Sequence, residues 1–271
     1  MARNTIDTID DVLAALDAIV DRAWSEGSRL GYFAVLYRRV TRRVKQGLAA
    51  GEFPNGPLLE RLDVVFARRY LDAVNQLWSG QPPSACWQVA FRALGDREPL
   101  ILQHLLGGMN AHINYDLGIA SADTIADVSS GDQLPALKPD FDQINALLAE
   151  EVGGVEQELA AVSPAIGLLE KVGLRSETKI INFSITAARD LAWSTAQRVA
   201  AAPAAQRGAL CGVLDAGVAV LGHGFVHPPL LVAAELLPIR VLESDDVRHV
   251  LEVLAGGQLA AAAAAGPSAA S

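Results

Sequence analysis

The sequence predicts an all-α protein that forms a single bundle of about eight to ten helices. Apolar residues recur at the i, i+3, i+4, i+7 spacing of an amphipathic helix along most of the 271 residues. No alternating apolar run is bounded by the Asn-Gly or Asp-Gly turns of a β-hairpin. No repeat or long linker divides the chain, so we expect residues 1–257 to form one helical domain. The Ala/Gly/Ser/Pro-rich residues 258–271 are expected to be a disordered tail.

An acidic start and a glycine stop define the first helix. Asp10 and Asp11 stand where a helix N-terminus favours negative charge, an apolar stripe beginning at Val12 follows them, and Gly27 ends the helix. The same apolar spacing predicts four further helices before the middle of the chain, at about 32–48, 58–78, 85–94 and 99–120.

The second half of the chain begins with a Ser/Asp/Gly-rich stretch, 121–139, which predicts a long loop. Residues 209–222 are apolar, but this run is too short to cross a bilayer and contains Asp215, so we expect a buried helix and no membrane span. Five helices are predicted after the loop, at 140–152, 155–162, about 184–200, 204–221 and 245–254.

Composition and charge narrow the classes of function. The formal net charge of −9 argues against a nucleic-acid partner, which requires a basic surface. Cys86 and Cys211 stand alone, without the spacing of a zinc site, and two isolated thiols fit a reducing cytoplasm. The N-terminus lacks the features of a signal peptide, so a cytoplasmic location is expected. The sequence contains no phosphate-binding loop, nucleophile elbow, haem-attachment motif or dinucleotide-binding motif.

The segment from Gln103 to Leu117 is the main candidate for a functional site. It places His104, His112, Asp116 and two asparagines in an otherwise apolar helix. Polar side chains on such a helix are costly to bury unless each finds a partner. The cluster therefore needs a structural or a chemical reason.

His112 and Asp116 are four residues apart and share one face of a helix. One alternative is a divalent metal site for zinc, iron or manganese, to which His104 adds a ligand from the edge. The other is acid–base catalysis, in which Asp116 orients His112 as a general base and Asn114 is a third catalytic residue. A buried hydrogen-bond network without catalysis would use the same side chains.

Five further residues are assigned to substrate contacts. They are Asn110 beside His112, the arginines Arg69 and Arg189 on apolar helix faces, and the aromatic residues Tyr115 and Trp193. A buried arginine needs a partner, so each arginine is expected to form either a structural ion pair or a clamp for an anionic group.

Two glycines inside the Gln103–Leu117 block and two histidines outside it leave two points open. Gly107 and Gly108 each weaken a helix by about 1 kcal/mol relative to Ala, which indicates close approach by another backbone or a ligand. His223 and His227 lie in a Gly/Pro-rich segment, and the sequence does not decide whether either of them reaches the site.

The Gln103–Leu117 block resembles the signature of an all-helical bacterial family, frequent in actinobacteria, whose function is unknown. The resemblance spans about residues 55–200, implies an all-helical fold and implies no particular reaction. Its weaker matches are Arg69-Tyr70-Leu71, Asp140-Phe141 with Ile144-Asn145, and Ala188-Arg189 with Ala192-Trp193.

A more distant likeness concerns His112 and Asp116. The pair is similar to the His-x-x-x-Asp metal ligands of helical zinc-dependent phospholipases C and single-strand nucleases. Only one such pair occurs in this chain, so the likeness implies a mononuclear site at most.

These observations lead to three hypotheses of function. The first is an enzyme that hydrolyses, isomerises or cyclises a hydrophobic metabolite or lipid-like substrate, with His112 and Asp116 in an apolar helical pocket. The second is a mononuclear metal-dependent phosphoesterase. The third is a helical protein that binds an apolar ligand or a partner without catalysis. The sequence leaves the substrate and the oligomeric state open.

Overall fold

Helices account for all of the regular structure in the described part of the chain. The structure is a computed structural model, and it describes residues 5–126, 134–166 and 185–259. Within these ranges there is no strand, which confirms the predicted all-α bundle. The elements are α1 Ile9–Glu26, α2 Leu30–Ala50, α3 Gly56–Trp78, α4 Ala85–Ala93, α5 Ile101–Met109, the π-helical segment Asn110–Leu117, α6 Gly118–Ala126, α7 Leu134–Val162, α8 Ile185–Ala201, α9 Ala204–Val226, α10 Leu230–Leu242 and α11 Val247–Leu254.

Both ends of α1 follow from local chemistry. The Thr8 hydroxyl accepts a hydrogen bond from the Asp11 amide, and the Asp11 carboxylate accepts one from the Thr8 amide. Gly27 ends the helix at φ 63°, a conformation that favours glycine, and its amide donates to the Ala23 carbonyl. The predicted acidic start and glycine stop of this helix are confirmed.

The main core lies where α1, α2 and α3 meet α4, α5 and the π-helical segment. Its largest fully buried side chains in this region include Trp87 and Tyr70. The C-terminal helix α11 packs back onto the start of the chain, where a Cβ atom at Gly31 would lie 2.6 Å from a methyl group of Leu251. Leu259, at the end of the described chain, is also buried in this core.

The long loop predicted at 121–139 is wrong at both ends. Residues 121–126 belong to α6 and residues 134–139 belong to α7, while 127–133 lie outside the described residues. The hydroxyl groups of Ser121 and Thr124 donate to the carbonyls of Leu117 and Ala120. Polar residues typical of a loop are therefore satisfied inside a helix.

The predicted break between two helices near residue 153 is also wrong, because α7 runs unbroken from Leu134 to Val162. Arg39 crosses α7 at Gly154, where a side chain would collide with the guanidinium group. Arg39 forms ion pairs with Glu151 and Glu158, on either side of this glycine. Gly154 thus provides room for an arginine instead of ending the helix.

Helix α9 is mostly exposed, which contradicts the expected burial of residues 209–222. Only 22% of its most apolar 18-residue window is buried. Its buried residues face α4 and α5, whereas Val213 and Val220 are 75% and 76% exposed. Among the helices of the described ranges, this one is long and apolar enough to cross a membrane by length and composition.

Candidate functional site

A cavity of about 470 Å³ lies between α2, α3, α5, α7, α8 and the π-helical segment. This volume is within the range of small-molecule sites. Most of the described side chains that line it are aliphatic or aromatic, and the walls include Phe33, Val40, Leu62, Leu105 and Phe141.

Ordinary helical spacing directs three residues of α3 into this cavity wall. Leu59, Asp63 and Phe66 follow one another at i, i+4 and i+7, which places them on one face of the helix. On α2, Phe33 and Tyr37 repeat the same arrangement. One carboxylate and one phenol are therefore carried into the bundle on otherwise apolar helix faces.

The block singled out in the sequence forms the π-helical segment Asn110–Leu117, not part of an α-helix as predicted. Such wide turns are rare and frequently occur at functional sites. Directly after it, a Cβ atom at Gly118 would lie 2.6 Å from the Ala192 carbonyl oxygen, so the glycine allows α8 to pack closely. Gly108 faces the Phe33 ring. A Cβ atom at Gly107 would lie 3.2 Å from the Val226 side chain and 3.9 Å from the Ala90 Cα atom, so side chains come closest to both glycines and a neighbouring backbone comes near Gly107.

His112 is buried at the cavity wall. Its ring stacks on Phe66, with 3.6 Å between ring centroids and 11° between the planes, and its centroid lies 4.4 Å from that of Tyr37. Neither ring nitrogen has a hydrogen-bond partner among the described residues. Burial lowers the pKa of His112, so the imidazole is neutral at pH 7 and can accept a proton.

Asp116 lies behind His112 and is held by two other side chains. One carboxylate oxygen accepts a hydrogen bond from Arg69 Nε, and the other accepts one from Trp87 Nε1, each at 2.8 Å. His112 Nδ1 is 3.7 Å from Asp116 Oδ2, which is longer than a hydrogen bond. The predicted pairing of His112 with Asp116 is therefore an electrostatic contact, and the ion pair of Asp116 is with Arg69.

The predicted metal ligands His112, Asp116 and His104 do not fit a metal ion. Both oxygens of Asp116 are occupied, and the Arg69 guanidinium next to them disfavours a cation. Among the residues that the structure describes, no three His, Cys, Asp or Glu side chains are close enough to share a metal. The third suggested ligand, His104, packs edge-on against Tyr32 and is not part of the cavity wall.

Asp63 is a feature of the site that sequence analysis missed. It lines the cavity, and its Oδ2 atom is buried without a hydrogen-bond partner in the described ranges. Burial, reinforced by the charge of Glu60, raises the pKa of Asp63 to about 7. This carboxyl group therefore keeps its proton to a much higher pH than an ordinary aspartic acid does.

Tyr37 lines the same cavity as His112 and Asp63. Its hydroxyl is buried and makes no hydrogen bond of good geometry with a described residue. Burial raises the pKa of Tyr37 well above its ordinary value, and the charges of Asp63 and Asp116 raise it further. The signal for Asp63 and Tyr37 was present in the sequence, because each polar group interrupts the apolar face of an amphipathic helix.

Arg189 and Asn110 were predicted to contact a substrate, and Asn114 was predicted to be catalytic. Arg189 is at the cavity wall, where its Nε donates to Asn145 Oδ1 at 2.6 Å and burial lowers its pKa to about 10. Asn114 donates to Asn110, which in turn donates to the Val218 carbonyl at 2.9 Å, so the two asparagines join the π-helical segment to α9.

The other three residues predicted to contact a substrate, Arg69, Tyr115 and Trp193, do not line the cavity. The Arg69 guanidinium carbon is 5.2 Å from the centre of the Tyr115 ring, and Trp193 packs on Phe141. His223 and His227 face each other at the C-terminal end of α9, with 5.0 Å between ring centroids. Neither histidine lines the cavity.

Comparison with known proteins identifies a family and leaves the reaction open. No curated protein and no solved structure matches the chain. The sequence profile of a family described as "Family of unknown function (DUF5995)" matches residues 9–228. This range includes every residue of the cavity wall named above. The chain belongs to this family, DUF5995.

Proposed function

We propose that this protein is an enzyme that binds a largely apolar small molecule in the cavity and moves protons on it. In this proposal Asp63 donates a proton, neutral His112 accepts one, and Tyr37 orients the substrate between them. One observation carries the proposal: three side chains on one apolar cavity wall have buried polar atoms that make no hydrogen bond of good geometry within the described structure. Such atoms are costly unless a ligand satisfies them.

The opposite pKa shifts of Asp63 and His112 support these roles. The pKa of Asp63 is raised to about 7, which keeps a proton available, whereas the pKa of His112 is lowered, which keeps a base available. Environments that move the pKa values of neighbouring groups in opposite directions are typical of acid–base assignments in enzymes. Asp116, paired with Arg69, keeps a negative charge near the imidazolium that forms during the reaction.

Isomerisation or cyclisation fits this wall better than hydrolysis. A proton given by Asp63 and a proton taken by His112 leave the composition of the substrate unchanged, and proton exchange of both groups with solvent then restores their starting protonation states. Hydrolysis of an ester would also need several donors aimed at a developing oxyanion. Of the described polar residues on the wall, Arg189 and Glu151 are already engaged with other protein groups.

A non-catalytic carrier is the second candidate. The same apolar cavity would hold a ligand, and the unpartnered polar atoms would bind its one polar group. The two functions differ in a single respect, which is whether protons of the bound molecule exchange with solvent.

Hydrogen exchange in D₂O tests the proposal directly. The purified protein is incubated in D₂O with a panel of apolar alkenes, fatty acids and isoprenoid alcohols, and retained compounds are analysed by mass spectrometry. We expect wild-type protein to introduce deuterium into at least one retained compound. Asp63→Asn and His112→Gln should retain that compound and exchange it at least about 100-fold more slowly.

His104→Gln is the matched control, because His104 is also buried with both nitrogens unpartnered in the described ranges but lies off the cavity wall. It should exchange the compound at the wild-type rate. Retention without exchange by the wild type would establish a carrier, and retention of no compound would refute both candidates. Melting curves of each variant exclude simple unfolding.

A further inference from the structure

Arg189 is a buried cation on the wall of the cavity. It is 5% exposed, and among the described residues that line the cavity it is the single Lys or Arg. A buried charge is costly to the folded protein unless an opposite charge lies beside it. The partners of this guanidinium therefore decide whether the wall is electrostatically complete without a ligand.

Two neutral oxygen atoms hold the guanidinium in place. Nε donates to Asn145 Oδ1 at 2.6 Å, and Nη2 donates to the Phe141 carbonyl at 2.5 Å. The guanidinium carbon also lies 4.3 Å from the centre of the Phe141 ring. Within the described ranges, the N–H groups of Nη1 and the second N–H of Nη2 have no acceptor. The side chain is thus fixed in position while part of its hydrogen-bonding capacity is unused.

The positive charge of Arg189 is not balanced by an ion pair within the described structure. Burial lowers its pKa to about 10, and the charges of Asp142 and Asp190 oppose this shift. Both of these aspartates are exposed, neither forms an ion pair with Arg189, and Asp142 is paired with Lys138. At neutral pH the arginine keeps its charge, so the wall presents an uncompensated cation to the cavity.

We propose that the molecule bound in this cavity is an apolar carboxylic acid whose carboxylate pairs with Arg189. This pairing rests on the proposed function, because it names the class of substrate for the same site. Nη1 and Nη2 form the end of a guanidinium that commonly makes two parallel hydrogen bonds to a carboxylate. The ligand supplies the opposite charge that the described residues lack, and its carboxylate anchors the molecule without taking part in proton transfer.

A singly charged carboxylate fits this wall better than a phosphate group. A phosphate monoester carries about two negative charges at neutral pH, whereas the described wall offers one arginine. The same wall contains the acidic residues Asp63, Glu151 and Glu156. Like charges close together repel one another, so a second negative charge on the ligand would be unfavourable here.

The size of the cavity limits the apolar part of the acid. An engineered protein cavity of about 150 Å³ holds one benzene molecule. The cavity of about 470 Å³ therefore has room for roughly 15 to 20 carbon atoms. Carboxylic acids of this class are the size of common fatty acids.

Fluorescence titration with a charged probe and its neutral counterpart tests the pairing. The probes are dansyl-undecanoic acid and its methyl ester, which differ at the carboxylate alone. Wild-type protein should bind the acid at least about 10-fold more tightly than the ester at neutral pH. Arg189→Met, which keeps most of the side-chain length and loses the charge, should bind the two probes with affinities within about 3-fold of each other.

Arg198→Met is the matched control, because Arg198 is an exposed arginine on the same helix and does not line the cavity. It should keep the wild-type preference for the acid. Equal binding of acid and ester by the wild type would overturn the carboxylate assignment whether or not Arg189→Met folds. A folded Arg189→Met that still prefers the acid would do the same, as would stronger displacement of the probe by dodecyl phosphate than by dodecanoic acid.

The same titration separates this assignment from the proposed function. Binding of neither probe by the wild type would overturn both. Tight binding of the ester as well as the acid would remove the role of Arg189 and leave proton transfer in the cavity in place. Preference for the acid, in a protein that exchanges no hydrogen of any retained compound in D₂O, would support the carboxylate and refute catalysis.

Discussion

At the scale of single residues, Asp63 and His112 are two ionisable groups on one apolar cavity wall. Each has a buried polar atom with no partner in the described structure, which is costly for the folded protein. Stability is commonly given up at functional sites, where such groups must be free to meet a ligand. Variants of the two residues are nevertheless expected to differ. The charge of the Asp63 carboxyl group changes with pH, whereas the His112 ring packs on Phe66.

Asp63→Asn should stabilise the protein more at pH 8.5 than at pH 5. Burial holds the pKa of Asp63 at about 7 in the folded state, against 3.8 when it is unperturbed, so the folded protein keeps a proton that the unfolded chain releases. The stability from this proton is complete below pH 4 and is lost as the pH rises through 7. The difference between the two pH values is on the order of 2 kcal/mol.

Urea denaturation of both proteins at the two pH values measures this difference. Asp72→Asn, at an exposed position on the same helix, is the control and should show no such pH dependence. An Asp63→Asn protein with equal effects at both pH values would mean that the carboxyl group is solvated.

His112→Phe should keep most of the stability that His112→Ala loses. The imidazole stacks on Phe66 but makes no hydrogen bond to a described residue, so its contribution to folding is packing. We expect His112→Ala to lower the free energy of unfolding by about 2–4 kcal/mol and His112→Phe by less than about 1.5 kcal/mol. Equal losses in thermal denaturation would show that the nitrogens hold the fold together as a polar network.

At the scale of secondary-structure elements, close packing at glycines sets the geometry of the site. Gly118 ends the π-helical segment, and its missing side chain allows the Ala192 carbonyl of α8 to come close. In α9, by contrast, Gly208, Gly212 and Gly217 face open space, whereas Gly222 packs against Asn110. The same residue type thus has a packing role at Gly118 and Gly222 and none at the exposed glycines of α9.

Gly118→Ala should lower the free energy of unfolding by about 1–3 kcal/mol, because its Cβ atom would lie 2.6 Å from a backbone oxygen that cannot rotate away. Gly208→Ala is the matched control. Its Cβ atom meets nothing within 4 Å, and Ala favours a helix, so a gain of up to about 1 kcal/mol is expected. Chemical denaturation of the two variants compares them, and a neutral Gly118→Ala would contradict the close packing of α6 on α8.

Sequence patterns predicted the elements better than the site. Amphipathic spacing and the Thr8, Asp11 and Gly27 signals are local, so they were sufficient to predict α1 and the all-α class. The spacing of His112 and Asp116 correctly put them on one face. The sequence could not show that Arg69 and Trp87 occupy Asp116, because those contacts come from other helices.

Of three other misjudgements, two have the same origin and one has a local cause. The exposure of α9 depends on which helices cover it, and its apolar composition alone suggested burial. The loop predicted at 121–139 was wrong because Ser121 bonds back to its own helix. Asp63 was overlooked because the other polar side chains of the same cavity wall, Tyr37 and His112, lie on α2 and the π-helical segment, distant in sequence.

At the scale of the whole molecule, we expect the buried histidines to contribute to the loss of stability at acid pH. Burial lowers the pKa of His104 to about 4, against 6.5 when it is unperturbed, so the unfolded chain takes up a proton that the folded protein does not. The stability from this difference is present above pH 6.5 and is lost as the pH falls towards 4. It amounts to at most about 3 kcal/mol.

His104→Gln should therefore flatten the loss of stability between pH 6.5 and 4.5, as measured by thermal denaturation across that range. His249→Gln, at an exposed position on α11, is the control and should leave the loss unchanged. A steep loss that persists in His104→Gln would place the acid sensitivity in other groups.

Binding of a fluorescent fatty acid shows whether the cavity holds an apolar ligand, on which the proposed function rests. We use dansyl-undecanoic acid with wild-type protein, with Val40→Trp and Leu148→Trp, which fill the cavity from partly buried wall positions, and with Leu191→Trp on the exposed face of α8. The account predicts one probe per chain for the wild type and Leu191→Trp, and at least about 10-fold weaker binding for both cavity variants. Equal binding by all four proteins, or no binding by the wild type, would contradict it.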